Sequence, residues 1–234
     1  MYKTRSIVGY ILTGIMVIFL ISGCALLEED LSITDWIFGN DDEKNPAELM
    51  SDGIANLEKG RYDAASEAFQ KIKDRYPYSK YAISAELKMA DALYKQDEFI
   101  QAFEAYDEFE RLHPRNRNIP YVIYQKGMCH LEQVKSTDRN QADTFKARTE
   151  FERLVKKFPR ENYTNMARKK LRKCLIYLAE YELYVGHYYY KMGKYKAALD
   201  RYSYIIKNYP DMGQYNEAID YIGKCKLKLS KKDK

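Results

Sequence analysis

Proline and glycine are scarce in this chain of 234 residues, with six and eleven copies. A composition so poor in turn-forming residues argues against a disordered chain and against an all-β fold. Histidine is rarer still. The three copies, His113, His130 and His187, are scattered and form no HExxH motif, so the sequence supports no metal site.

Motifs of catalysis are also missing. The sequence contains no P-loop, no GxGxxG and no Ser/His/Asp or Cys/His arrangement that would mark a nucleophile with its base. No dense stripe of lysine and arginine indicates nucleic acid as a partner. We therefore predict a binding protein that is not an enzyme, needs no cofactor and does not bind nucleic acid.

A ladder of residue types recurs along the chain at fixed spacing: a small residue, an alanine 12 positions later, an aromatic or apolar pair at +16 and +19, and a proline at +24. The four copies, the third without its first member, are Gly53, Ala65, Phe69, Ile72 and Pro77; Ala90, Ala102, Tyr106, Phe109 and Pro114; Ala147, Phe151, Leu154 and Pro159; and Gly186, Ala198, Tyr202, Ile205 and Pro210. Such spacing is typical of tetratricopeptide repeats, in which small residues let paired helices approach and proline ends the second helix. It predicts an all-α superhelical solenoid of about ten helices.

Charge and hydropathy divide the chain into four segments. Residues 1–23 read as a lipoprotein signal peptide, residues 24–45 as an acidic tether, residues 46–229 as the solenoid and residues 230–234 as a basic tail. The tether carries seven acidic residues against one lysine, whereas residues 46–234 have a net charge of +9. The solenoid has room for about five repeats, of which the last is partial or capping.

The N-terminal segment carries the marks of a lipoprotein signal. A short positive stretch precedes an uncharged apolar run from Ile7 to Ile21, which is too short to be a comfortable spanning helix. The run closes on Ser22-Gly23-Cys24, which resembles the bacterial lipoprotein box. That resemblance implies cleavage between Gly23 and Cys24 and lipidation of the Cys24 thiol, so that acyl chains hold the protein on a membrane. With Ala25 in place of aspartate, enteric-like sorting implies the outer membrane. The alternative is a signal anchor with a chance cysteine.

Three cysteines remain in the mature chain, Cys129, Cys174 and Cys225. Each lies in an apolar helical context, where a buried thiol behaves as a small hydrophobic group. We expect three buried thiols rather than a disulfide, although the compartment beyond the inner membrane is oxidising.

In a solenoid of this class, the first helix of each pair lines the concave face. Positions counted from the small residue predict an apolar and aromatic groove. Its residues on the second and third pairs are Leu87, Asp91, Tyr94, Tyr121, Tyr124, Met128 and Leu131; the first pair adds Ala47, Met50, Ile54 and Leu57. The groove suits an extended apolar or aromatic peptide, with Lys88, Lys95 and Lys126 near enough in sequence to hold a carboxylate. The alternative is that these side chains pack against their own second helices.

The third repeat is longer by eight residues near Val134 to Gln141. Insertions in a solenoid form loops on one face, so Asp138 and Arg139 are candidates for partner contact. The alternative is a solvated spacer. Farther on, residues 163–192 contain no proline and one glycine, which predicts one long helix or two abutting helices.

Three stretches resemble the BamD family, also called YfiO or ComL, the outer-membrane lipoproteins of the β-barrel assembly machine. They are GRYDAASEAFQKIKDRYPYSKYA, HPRNRNIPYVIYQKGM and AEYELYVGHYYYKMGKYKAALDRYSYIIKNYPD. The resemblance covers about residues 45–229 and implies a lipid-anchored scaffold on the periplasmic face of the outer membrane. It also implies which proteins this chain binds.

According to the resemblance, the C-terminal repeats contact the periplasmic domains of a BamA-like barrel subunit. The N-terminal repeats receive the C-terminal signals of unfolded outer-membrane proteins, which end in an aromatic residue. Accessory lipoproteins are further implied partners. The alternative is another envelope repeat lipoprotein, either a coordinator of cell-wall work and constriction or a secretin pilotin.

Overall fold

The computed structural model describes residues 44–232, and in this range the chain forms nine α-helices and no strand. The helices are α1 (Pro46–Glu58), α2 (Tyr62–Arg75), α3 (Ala82–Lys95), α4 (Phe99–Leu112), α5 (Ile119–Glu132), α6 (Ala142–Lys157), α7 (Asn162–Lys191), α8 (Tyr195–Asn208) and α9 (Tyr215–Lys232). The all-α prediction is confirmed. The predicted signal peptide, its cleavage between Gly23 and Cys24, the lipidation of Cys24 and nearly all of the tether lie outside the described residues.

The chain divides into two units, Met1–Glu48 and Leu49–Lys234. In the first, Asn45 caps α1: its side-chain oxygen accepts the backbone N–H groups of Ala47 and Glu48 at 2.9 and 3.1 Å. The Glu48 carboxylate in turn accepts the backbone N–H of Asn45 at 3.1 Å. This reciprocal capping box, followed by proline in the first turn, fixes where the helix begins.

In the second unit, helices α2 to α9 pack against one another in chain order, and α5 also touches α7. The repeat ladder appears in this packing as aromatic rings laid on small residues. An ideal Cβ added to Gly127 would lie 2.5 Å from a ring carbon of Phe151, one added to Gly186 would lie 2.6 Å from Tyr202, and one added to Gly53 would lie closer still to Phe69. The rings of Phe69, Phe151 and Tyr202 are fully buried. At these three positions only glycine permits this approach, and in the second repeat Ala90 holds the small position, so the ladder is a set of sockets and rings.

The inserted segment of the third repeat forms a hydrogen-bonded loop between Glu132 and Ala142. The buried Gln141 side chain organises it. Its Nε2 donates to the backbone carbonyls of Ser136, Thr137 and Arg139 at 3.1, 3.3 and 2.9 Å. The Thr144 hydroxyl donates to Gln141 Oε1 at 2.7 Å, so the amide has partners on both sides.

The stretch without proline forms one helix of 30 residues, α7, rather than two abutting helices. The described range accordingly contains nine helices where about ten were predicted. The last helix, α9, runs through Lys232, so the first three residues assigned to the basic tail are helical.

The three cysteines of the described range are free and buried, as predicted. Burial raises the pKa of the Cys129 and Cys174 thiols to about 12. Each thiol is therefore protonated and acts as a small apolar side chain. Within residues 44–232, none of the helices has the length and apolar character needed to span a membrane.

Candidate functional site

The structure separates the predicted groove residues into two groups. Leu87, Tyr124, Met128 and Leu131 are only 5–7% exposed and belong to the core formed by α3 to α7. One cause is α7, which touches α5 as well as its neighbours in sequence. Tyr163 of α7 lies 5.9 Å from the Tyr124 ring, so it packs against a face of α5 that a regular repeat would leave open. None of these four side chains lines the larger cleft described next, and only Leu87 lines the smaller cleft beside it.

Five of the other predicted residues, Ile54, Leu57, Asp91, Tyr94 and Tyr121, line an open cleft of about 490 Å³, whereas Ala47 and Met50 do not line it. We call it the tyrosine cleft. It is lined by Ile54, Leu57, Glu58, Tyr62, Lys88, Asp91, Tyr94, Lys95, Tyr121 and Gln125. A neighbouring cleft of about 340 Å³ shares Lys88, Asp91 and Tyr121 with it and extends to Tyr163. Thus α1, α2, α3 and α5 together supply an apolar and aromatic surface with lysines on it.

A hydrogen-bond network fixes the floor of the tyrosine cleft. The hydroxyls of Tyr106 and Tyr121 both donate to Asp91 Oδ1, at 2.8 and 2.6 Å, and Lys88 Nζ donates to Asp91 Oδ2 at 3.0 Å. The Gln125 amide donates to both hydroxyls, at 3.4 and 3.2 Å. Burial, and next the charge of Asp91, raise the pKa of both tyrosine hydroxyls, which therefore remain protonated donors. The network joins α3, α4 and α5 and holds the Tyr121 ring in place.

Aromatic contacts support the walls around this floor. The Tyr94 ring meets Phe99 edge-on with centroids 5.4 Å apart. The Tyr121 ring lies 5.2 Å from Tyr163 and 6.3 Å from Tyr106. These separations are those of favourable aromatic pairs, so the tyrosine faces are held in fixed orientations before any ligand binds.

The three lysines proposed as carboxylate partners have different environments. Lys88 is paired with Asp91, and Lys95 is exposed in the cleft wall with no ion pair among residues 44–232. Lys126 is the exception: it is 4% exposed and faces Asp107, Glu110 and Glu150, the last two at 3.2 and 3.9 Å. The prediction for Lys126 is therefore wrong, because a buried lysine must be paired and its partners come from α4 and α6.

The acidic partners of Lys126 belong to a network that sequence analysis missed. The Arg153 guanidinium holds both oxygens of Glu110 and also pairs with Glu150, so that α4, α5 and α6 are joined by charge. Burial opposes ionisation of Glu110, but hydrogen bonds and charge from Arg153, together with Lys126, hold the pKa of that carboxyl below its usual range. No local motif announces this network, because its members come from three separate helices.

The loop candidates Asp138 and Arg139 are both exposed. A hydrogen bond from Ser136 lowers the pKa of the Asp138 carboxyl, which is therefore ionised on an accessible loop. Their role in partner contact stays a prediction, as does the binding role of the tyrosine cleft.

Comparison with known families shows to which family this chain belongs. A family model named YfiO, described as an outer membrane lipoprotein, matches residues 42–234. The chain belongs to this family. The match includes every described helix and places the protein at the outer membrane.

Curated relatives carry the name "Outer membrane protein assembly factor BamD". One from Neisseria meningitidis serogroup B is 30% identical over 225 residues, which are 90% of this chain and 81% of the relative. One from Vibrio cholerae is 25% identical over 86% of this chain and 83% of the relative. One from Caulobacter vibrioides is 29% identical over 76% of this chain, which spans only 58% of that relative's length. The protein is therefore a relative of outer-membrane protein assembly factors.

Among solved structures, a tetratricopeptide repeat protein from Parabacteroides merdae covers 80% of this chain and 78% of its own. The identity is 12% and the TM-score is 0.42, values too low to add to the fold derived from the helix pairs.

Proposed function

We propose that this protein is a non-enzymatic scaffold of outer-membrane protein assembly whose tyrosine cleft binds the C-terminal signals of unfolded outer-membrane proteins. The observation that carries the proposal is the composition of the cleft. Ile54 and Leu57 offer an apolar wall, Tyr94 and Tyr121 offer oriented rings, and Lys95 offers an unpaired charge. A peptide that ends in an aromatic residue supplies a ring and a carboxylate, which these groups complement.

The other partners follow from the family rather than from the cleft. We propose that the C-terminal repeats bind the periplasmic domains of a BamA-like barrel subunit, that accessory lipoproteins are further partners, and that acylation of Cys24 anchors the chain on the periplasmic face of the outer membrane. The family model and the relatives named assembly factors support these assignments.

Peptide binding tests the proposed ligand. Labelled ten-residue peptides ending in phenylalanine, with a free or an amidated C-terminus, would be titrated with the purified chain and followed by fluorescence anisotropy. We expect the free acid to bind about tenfold more tightly than the amide, a difference on the order of 1.4 kcal/mol. Lys95→Gln should remove that difference and Ile54→Glu should weaken both peptides.

The control is Lys207→Gln, which removes an exposed lysine of α8 far along the chain from the cleft. It should bind both peptides as the unchanged protein does. Equal affinity for acid and amide, together with no effect of Lys95→Gln, would refute the cleft as a carboxylate-binding site.

A pull-down of the acylated protein in mild detergent, with partners identified by mass spectrometry, tests the scaffold role. We expect a large outer-membrane barrel with periplasmic repeat domains. Recovery of only a secretin or of only cell-wall synthesis proteins would contradict the proposal and favour the alternative envelope lipoproteins.

A further inference from the structure

The corner between α6 and α7 concentrates positive charge. Residues 156–173 cover the end of α6, the connecting loop and the first part of α7. They include eight of the chain's 39 lysines and arginines and one acidic residue, Glu161. We call these eight the basic corner: Lys156, Lys157, Arg160, Arg168, Lys169, Lys170, Arg172 and Lys173. Eight positive charges and one negative charge give this short segment a net charge of +7, which exceeds the formal +5 of the whole chain.

The charges of the basic corner face solvent without partners. Seven of the eight side chains are exposed, and Lys170 is partly buried. None of the eight has an ion pair or a side-chain hydrogen bond within residues 44–232. By contrast, Lys126, Arg148 and Arg153 on α5 and α6 are all paired with carboxylates. The cations that hold these helices together are therefore paired, whereas the basic corner contributes no ion pair to the fold.

The α7 members of the basic corner project away from the core. Ala167 and Cys174 are fully buried and mark the inner side of this part of α7. Lys169 and Lys173, which are four residues apart, share the outer side with Arg172, and all three are exposed. An anionic surface laid along the outer side of α7 would reach these three side chains without displacing any packed group.

Aromatic and apolar groups are interleaved with these charges. Lys157 Nζ lies 5.3 Å from the centre of the Phe158 ring, and Lys173 Nζ lies 5.2 Å from the centre of the Tyr177 ring. Met166, one turn before Lys169, is 47% exposed. Ammonium groups beside rings and a flexible apolar side chain are typical of surfaces at a membrane interface, where cations meet phosphates and apolar groups reach the acyl boundary.

We propose that the basic corner binds the phosphate headgroups of anionic phospholipids, so that the corner between α6 and α7 rests on a membrane surface. The family of outer membrane lipoproteins places the chain at a membrane. Clusters of about four to eight lysines and arginines are the kind that anionic lipids attract. This surface shares no residue with the tyrosine cleft and does not depend on peptide binding.

Lysine acetylation measures the contact in the full-length protein. The chain would be held in nanodiscs of phosphatidylcholine, with or without phosphatidylglycerol, and treated briefly with an acetylating ester; mass spectrometry then gives the rate at each lysine. We expect phosphatidylglycerol to slow acetylation of the basic-corner lysines about threefold or more, because headgroup phosphates would occupy them. Exposed Lys194 and Lys196, at the turn between α7 and α8, should react at the same rate in both nanodiscs. Salt at about 0.5 M should remove the difference, since it screens the attraction.

Charge reversal within the basic corner tests the site itself. Arg168→Glu combined with Arg172→Glu should abolish the protection while leaving every lysine reporter in place. The fold survives because both side chains are exposed and glutamate favours a helix, which circular dichroism would verify. The matched control is Lys135→Glu combined with Arg139→Glu, two exposed cations with the same spacing in the loop between α5 and α6. This control should keep the protection.

Equal acetylation rates in the two nanodiscs would overturn the proposal. So would protection that persists in the Arg168→Glu and Arg172→Glu variant. Equal loss of protection in the control variant would also overturn it, because lipid attraction would then follow the net charge of the chain rather than the basic corner.

Discussion

Alanine in place of the helical glycines tests whether rings are close-packed on them, because a Cβ at Gly53, Gly127 or Gly186 would collide with a buried ring and one at Gly223 of α9 would meet nothing within 4 Å. At Gly53, Gly127 and Gly186 the new methyl group would lie 2.6 Å or closer to a ring carbon, against about 3.5–4.0 Å for ordinary carbon contacts. The rings are fully buried and surrounded, so they cannot swing into solvent. The methyl group therefore forces the two helices of each pair apart.

The size of the effect follows from two opposing contributions. Overpacking a core costs about 1–3 kcal/mol, while alanine stabilises a helix over glycine by about 0.5–1 kcal/mol. We expect Gly53→Ala, Gly127→Ala and Gly186→Ala to lower the free energy of unfolding by about 0.5–2 kcal/mol each. The loss should be largest at Gly186, because the Tyr202 hydroxyl also lies 2.8 Å from His187 Nδ1 and that hydrogen bond moves with the ring. At Gly223 the added methyl group meets no neighbour, so only the gain in helix stability remains. Gly223→Ala should therefore raise the free energy of unfolding by about 0.5–1 kcal/mol.

Urea unfolding followed by circular dichroism measures these differences, and hydrogen exchange localises them, since repeats can open separately. Each destabilising variant should speed exchange in its own helix pair. If all four variants shifted stability in one direction, or if Gly127→Ala were as stable as the unchanged chain, the rings would not be close-packed on glycine and the reasoning would be refuted.

Three further predictions concern side chains with unusual environments. Asp91→Ala should lower stability by about 1–3 kcal/mol, measured by thermal unfolding, because it leaves the Tyr106 and Tyr121 hydroxyls without their acceptor; Asp211→Ala, at an exposed position, should have no effect. The pKa of Glu110 lies below its ordinary value of 4.5, so its contribution to stability is fully present above that pH and is lost as the pH falls through the lowered pKa; Glu110→Gln should flatten the acid limb of the stability profile, and an unchanged limb would contradict this. The Cys129 thiol, buried and with a pKa raised to about 12, should resist iodoacetamide at mildly alkaline pH until the chain unfolds, and rapid labelling of native protein would count against its burial.

The sequence was sufficient to predict which residues pair across helices, but not which faces stay open. Spacing fixes the angle of a side chain on its helix, and for that reason the ladder predicted helix pairs that approach closely at small residues. Whether a helix face is buried or open depends on contacts between helices that are far apart in sequence. Tyr124 and Met128 were predicted on an open groove, yet they are buried in a core that includes residues of α7. Lys126 was misjudged for the same reason, since Glu110 and Glu150 reach it from two other helices.

In the four helix pairs, the residue after the small position matches the kind of ring that packs there. Where the ring is tyrosine, its hydroxyl bonds to that next residue: Tyr106 donates to Asp91 after Ala90, and Tyr202 lies within 2.8 Å of His187 after Gly186. Where the next residue is apolar, the ring is phenylalanine. These pairs are Ile54 with Phe69 and Met128 with Phe151.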